Sequence, residues 1–128
     1  MGIVEEAVIK AMGSFGGGIA SSGRICGAMI GGVALISSLY SRGNLNEKED
    51  PRMWRLSYKF TKKFEELTKE FGSVNCRDIA KVDWRDRESV KEFYGSTEGR
   101  RKLCIRLVGD TACALGEVLE QDQEKKES

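Results

Sequence analysis

The chain reads as an all-α protein: a compact multi-helical domain of about four main helices around a glycine-rich apolar central helix. Three observations carry that expectation. Apolar residues recur at three- and four-residue steps along most of the chain. One stretch is small or apolar all round, as a helix at the centre of a domain would be. Between these segments stand turn and cap signals such as Gly13, Asp50-Pro51 and Gly72. At 128 residues the chain is the usual size for one core.

The first helix is predicted over Ile3 to Met12, where residues 3, 4, 7, 8, 11 and 12 are apolar while Glu5, Glu6 and Lys10 occupy the other face. Gly13 stops it. Ser14 to Gly23, SFGGGIASSG, is dense in residues that tolerate positive φ or close backbone approach, and reads as a structured loop or a tight helix corner. The central helix follows from Arg24 to Tyr40, with Gly27 and Gly31 four apart on one face. Its apolar run is too short and too rich in glycine and serine for a membrane span. Asp50 and Pro51 supply an N-cap acceptor and a first-turn proline for a third helix. Met53, Trp54, Leu56, Phe60, Phe64, Leu67 and Phe71 mark its apolar stripe, and Gly72 ends it. A short helix is expected from Asn75 or Cys76, another over Asp86 to Tyr94, and a break over Gly95 to Gly99. The last helix, from about Glu98 to Gln121, aligns Leu103, Cys104, Leu107, Val108, Thr111, Ala114, Leu115 and Val118. The predicted division is therefore one helical domain over residues 1–121 and a charged, disordered tail over 122–128.

Composition removes several function classes. The chain has no histidine, so Ser-His and Cys-His hydrolases, His-built zinc sites and an axial histidine for haem are all ruled out. Twenty-one Lys and Arg against twenty Asp and Glu give a net charge of +1, which offers no drive toward nucleic acid or an anionic membrane. The paired carboxylates, such as Glu65-Glu66, sit among equal numbers of cations, as on a solvated helix face. Met1 to Met12 lacks a secretory n-region and h-region, so a cytoplasmic location is expected. A reducing compartment disfavours structural disulfides and turns attention to the four cysteines as metal ligands, reactive thiols or core residues.

Cys26, Cys76, Cys104 and Cys113 include no Cys-x-x-Cys pair, which excludes a zinc ribbon, a thioredoxin motif and covalent c-type haem. Cys104 falls inside the apolar stripe of the last helix. Cys113, nine residues on, points about 180° away and is the weaker candidate. Arg24 lies near Cys26, Arg77 follows Cys76, and Arg100 and Arg101 precede Cys104. Cations and helix N-termini stabilise a thiolate, the nucleophilic and metal-ligating form, so Cys26, Cys76 and Cys104 are grouped as the redox or metal site. Gly17, Gly18, Gly23, Arg24, Gly27 and Arg77 are supporting candidates. The Gly18-x-x-x-x-Gly23-Arg24-Ile25 segment lacks the lysine, hydroxyl and preceding strand of a phosphate loop, so a nucleotide hydrolase is excluded. An anion at residues 16 to 24 is the weaker version of that idea, and close helix crossing is the structural use of glycines 16, 17, 18, 27 and 31.

Taken in order, Phe15-Gly-Gly-Gly18, then Gly23-x-x-Cys26-Gly27-Ala28-x-x-Gly31, then Phe71-Gly72-Ser73-x-x-Cys76-Arg77, then Cys104 before a final amphipathic helix, resemble the redox-active family named for its C_GCAxxG_C_C pattern. The likeness spans residues 7 to 119 and extends to the non-haem part of split-Soret cytochrome c. It implies a helical domain, a homodimer, an unidentified redox partner and cysteines serving a redox centre, with an iron-sulfur cluster as the implied cofactor. Family members carry an earlier cysteine on a preceding helix that this sequence does not contain. A four-thiolate cluster would then need Cys113, a cysteine of another subunit or a non-protein ligand. Homodimerisation is also expected because the surface that such a helix would cover needs a partner. The competing expectation is a non-catalytic helical interaction module that has lost the family's redox site.

Overall fold

The computed structural model describes residues 5–95 and 99–127, with side chains to residue 123. Residues 3 and 4 of the first predicted helix, most of the Gly95 to Gly99 break, the expected start of the last helix at Glu98 and the tail's final Ser128 lie outside the described residues. Among those described there are six α-helices and no β-strand. They are α1 (Glu6–Ala11), α2 (Gly27–Tyr40), α3 (Arg52–Leu67), α4 (Cys76–Ala80), α5 (Arg87–Gly95) and α6 (Arg100–Glu127). Short 3₁₀ turns cover Gly13–Phe15 and Lys69–Phe71.

Helix α3 begins where the sequence indicates: Asp50 Oδ1 accepts the Arg52 N–H at 2.9 Å and the Asp50 carbonyl accepts from Met53. Its apolar stripe buries Met53, Leu56, Phe60 and Phe64. It ends at Leu67, earlier than Gly72. Thr68 is buried and turns its hydroxyl back onto the Phe64 carbonyl, the 3₁₀ turn follows, and Gly72 takes φ +81° to reverse the chain.

Helix α2 packs against both α3 and α6, and α3 packs against α6. One core joins Ile36 of α2, Leu56 and Phe60 of α3 and Val118 of α6. A second joins Phe64, Ile79 of α4 and Leu107, with Cys26 and Cys104 packed on it. The all-round apolar character of α2 does not translate into all-round burial. Only Gly32 and Ile36 are fully buried, and Leu39 is exposed. The close crossing also uses a different glycine from the pair on the predicted face. A β-carbon on Gly32 would stand 2.2 Å from the Phe60 ring, whereas Gly31 has nothing within 4 Å and Gly27 has only ordinary contact with the Phe15 carbonyl.

Helix α1 buries no residue, and Val8 and Ile9 on it are exposed. Helix α6 buries Leu107, Thr111, Ala114, Val118 and Asp122, a three- and four-residue rhythm, while Val108 of the predicted stripe is exposed. It also passes the boundary expected at Gln121 and runs to Glu127. The physical reason is Asp122, buried against Arg52 and Arg55 of α3, which ties down a turn whose composition alone reads as a solvated tail. No helix among the described residues is long and apolar enough to cross a membrane.

Candidate functional site

The Gly-rich segment is a structured loop, and its backbone is unusual. Gly17, Gly18, Ile19, Ala20 and Ser21 all have φ between 52° and 72°. Three of these are L-residues with a side chain, each costing about 1–2 kcal/mol in that region. The run is held by its own ladder: Ala20 N–H to the Ser14 carbonyl at 2.7 Å, Gly23 N–H to Gly17, Arg24 N–H to Gly18, and the Ser22 hydroxyl to the Gly18 carbonyl. Gly18 is buried. A β-carbon there would lie 2.6 Å from the Arg24 backbone and 2.7 Å from Cys76 Cβ, so at this position the loop is backbone packed directly on a cysteine.

The loop then runs antiparallel to the segment before α4 through a single bridge, Ile25 with Asn75. Cys26 N–H donates to Val74 at 2.9 Å and Cys76 N–H to Arg24 at 2.6 Å. Residues flanking a bridge on either side share a face, so Cys26 and Cys76 project from the same side of this two-strand contact. Each then opens a helix: Cys26 is the N-cap residue of α2 and Cys76 the first residue of α4. Arg77 clips the assembly from outside, its Nε donating to the Gly23 carbonyl at 3.0 Å and its N–H to the same oxygen. Gly23, at φ +73°, would meet Arg77 Cβ at 3.1 Å if it carried a side chain. Ser73 donates to Asp78 and accepts from the Asn75 N–H, which fixes the entry to α4.

Cys104 arrives from α6, half-buried on the Phe64, Ile79 and Leu107 cluster. Burial pushes the Cys104 thiol up to about 11, charge on Cys76 and on Cys26 adds to that rise, and Arg100 pulls it down. Cys26 is also raised, first by burial; the N–H groups of Ala28 and Met29 at the start of α2 oppose this, and charge on Cys76 reinforces it. The activation expected from nearby cations is therefore overturned at these two sulfurs. Desolvation outweighs Arg100 at Cys104, and at Cys26 no cation enters the balance. The Arg77 side chain is spent on the loop carbonyls of Gly23 and Ser22, and Arg24 contributes its backbone to the bridge. Cys113 is exposed and takes no part in this mutual influence, as its helical phase indicates.

The site also holds a residue that the sequence reading passes over. Trp84 Nε1 donates to Cys76 Sγ at 3.4 Å. Trp84 stands in the turn between α4 and α5, edge-on to Phe93 with centroids 5.2 Å apart and 6.1 Å from the Tyr94 ring. Arg101 of α6 lies over Tyr94. Only the aromatic triad Trp84, Phe93, Tyr94 at nine- and ten-residue spacing signals this in the sequence, and nothing local says which cysteine it meets. Among the described residues no group of three His, Cys, Asp or Glu is arranged to hold a metal ion, so the thiols as they stand do not fit a cluster without moving together and gaining a further ligand.

Fold and site together describe a small helical protein with three partly buried cysteines, one of them, Cys76, packed against a glycine loop. The chain belongs to the family described as putative redox-active protein (C_GCAxxG_C_C), whose family model matches residues 1–118, a span that begins earlier than the glycine and cysteine motifs by themselves indicate. No curated protein and no solved structure matches it.

Proposed function

We propose that this protein carries out thiol redox chemistry with Cys26, Cys76 and Cys104 as the reacting set, supported by Gly17, Gly18, Gly23, Arg24, Gly27 and Arg77. The observation that carries the reading is geometric: Cys26 and Cys104 pack on the same Phe64, Ile79 and Leu107 cluster, and Cys26 and Cys76 flank the Ile25–Asn75 bridge on one face. Two neighbouring thiols can pass two electrons and two protons to an external disulfide, closing into a disulfide of their own while the acceptor becomes two thiols. Raised thiols are protonated at neutral pH, so they resist adventitious oxidation and react when a partner is docked. The reading includes a reducing, cytoplasmic setting and a protein redox partner. It also includes a homodimer, to which the exposed Val8 and Ile9 of α1 and Ile105 and Val108 of α6 lend apolar surface. A monomer mass in solution scattering would remove the homodimer from the reading.

The test is anaerobic purification of the chain and of a Cys26→Ser variant, with thiol counting, metal and sulfide analysis and intact mass after exposure to a small disulfide. A mass lower by two hydrogen atoms per chain in the wild type, absent in the variant, supports thiol-disulfide chemistry. Iron with sulfide that disappears in the variant would replace that mechanism by an iron-sulfur centre completed by a ligand from outside this chain's described cysteine set. Three inert thiols in a metal-free protein would leave a helical interaction module.

A further inference from the structure

We propose that Trp84 is a positioning residue for this chemistry: its indole N–H holds Cys76 Sγ and makes Cys76 the first of the three thiols to exchange with an external disulfide. The inference rests on the thiol redox reading above and adds an order of reaction to it. Of the three grouped cysteines, Cys76 alone receives a side-chain hydrogen bond, from Trp84 Nε1 at 3.4 Å. An indole nitrogen is a donor and never an acceptor, so sulfur must accept, and a donor is bound more tightly by the anion than by the thiol. The indole N–H is therefore placed to hold Cys76 Sγ as it carries charge into the attack. At Cys26 and Cys104 burial is the largest influence and works the other way.

Trp84 is not free to drift off the sulfur. Its ring is braced by Phe93 and Tyr94 of α5. Its turn is tied by the Asp83 N–H to Ser89 Oγ, the Arg85 N–H to Asp83 Oδ1 and the Glu88 N–H to Asp86 Oδ1. Gly18 packs closely on Cys76 Cβ, so the cysteine is held by the loop backbone at its β-carbon and by the indole at its sulfur. The other ionisable groups of this neighbourhood are Cys26 on α2, Cys104 and Arg100 on α6, and Arg77, whose guanidinium is engaged with loop carbonyls. In the first step Cys76 thiolate attacks one sulfur of a disulfide R–S–S–R. The Cys76 Sγ–S bond forms, the S–S bond of the reagent breaks, and R–S⁻ leaves with the electron pair.

The experiment exposes the reduced full-length chain to glutathione disulfide without oxygen, quenches with acid, and follows each cysteine peptide by mass spectrometry, with exposed Cys113 as the internal reference. The mixed disulfide is expected at Cys76 before Cys26 or Cys104. Trp84→Phe keeps the ring and deletes the N–H, and is expected to slow Cys76 about three- to tenfold relative to Cys113. A second reading uses a Trp54→Phe background, in which Trp84 is the sole indole: its emission is expected to change as Cys76 is capped, which a merely structural Trp84 would not do. Cys26 or Cys104 reacting first, an unchanged Cys76 rate in Trp84→Phe, or an indifferent emission would each overturn the assignment while leaving the thiol reading intact. Reaction at Cys113 alone would overturn both.

Discussion

At Cys104 the decisive quantity is the balance between desolvation and charge. Its thiol lies near 11 in the folded chain against an ordinary value of 9.0. A group whose folded value is raised contributes stability that is fully present below the unfolded value and is lost as pH climbs through the folded one. The window is therefore about pH 9 to 11, and a Cys104→Ala variant should show a flatter fall in stability across it than the wild type, read as the difference between two urea-denaturation series. Parallel curves would mean that Cys104 is solvated in both states. At Gly18 the balance is steric. Ala there meets Arg24 backbone and Cys76 Cβ at under 3 Å and must also hold φ +72°. Gly18→Ala should cost about 2–4 kcal/mol and raise the accessibility of Cys76 to alkylation, because the loop has to lift off it. A variant as stable and as slowly alkylated as the wild type would show that the loop does not seat on the cysteine.

Helices α2 and α3 meet by letting one backbone approach one ring. Gly32 accepts the Phe60 ring where a methyl group would stand 2.2 Å from it, and neighbouring Gly31 has open space. The two alanine variants should therefore move stability in opposite directions. Gly32→Ala forces Phe60 out of a fully buried site and should lower the unfolding free energy by about 1–3 kcal/mol. Gly31→Ala reduces the freedom of the unfolded chain and should raise it by up to about 1 kcal/mol. Urea midpoints at constant m-value measure both, and equal effects would refute the crossing geometry.

Over the whole molecule the long helix α6 is what joins the site to the core: Leu107 and Cys104 pack near one end, Val118 further along, and Asp122 beyond it. Asp122 has a side chain only 8% exposed, with Arg55 at 2.5 Å and Arg52 at 3.7 Å. Removing the acid takes away the carboxylate that Arg55 shares across the α3–α6 seam, while Arg52 keeps Asp50 at 2.7 Å, so Asp122→Ala should cost on the order of 1 kcal/mol. Amide exchange should quicken in the last turns of α6 and leave the Cys104 turn protected, because the cluster that holds Cys104 does not use Asp122. Loss of protection along all of α6 would mean that the helix unfolds as one unit.

Much of this protein follows from local pattern. The amphipathic rhythm of α3, the Asp50-Pro51 start and the opposed phases of Cys104 and Cys113 depend on residues within a few turns of one another, so the sequence by itself determines them. The all-helical class is legible for the same reason, and the ordered glycine and cysteine motifs carry the family. Tertiary structure alone decided the rest. Which α2 glycine meets Phe60 depends on the rotation of two helices; the left-handed path through Ile19, Ala20 and Ser21 depends on a hydrogen-bond ladder that outweighs their own preference. Whether an arginine activates a thiol depends on what else it binds, and Arg77 binds carbonyls. The helical turn at Asp122 needs Arg52 and Arg55, sixty-seven residues away in the case of Arg55. Trp84 meets Cys76 from eight residues away, through the turn between α4 and α5, where no period links the two. Side-chain contacts across such distances carry no periodic signal, so only the tertiary structure decides them.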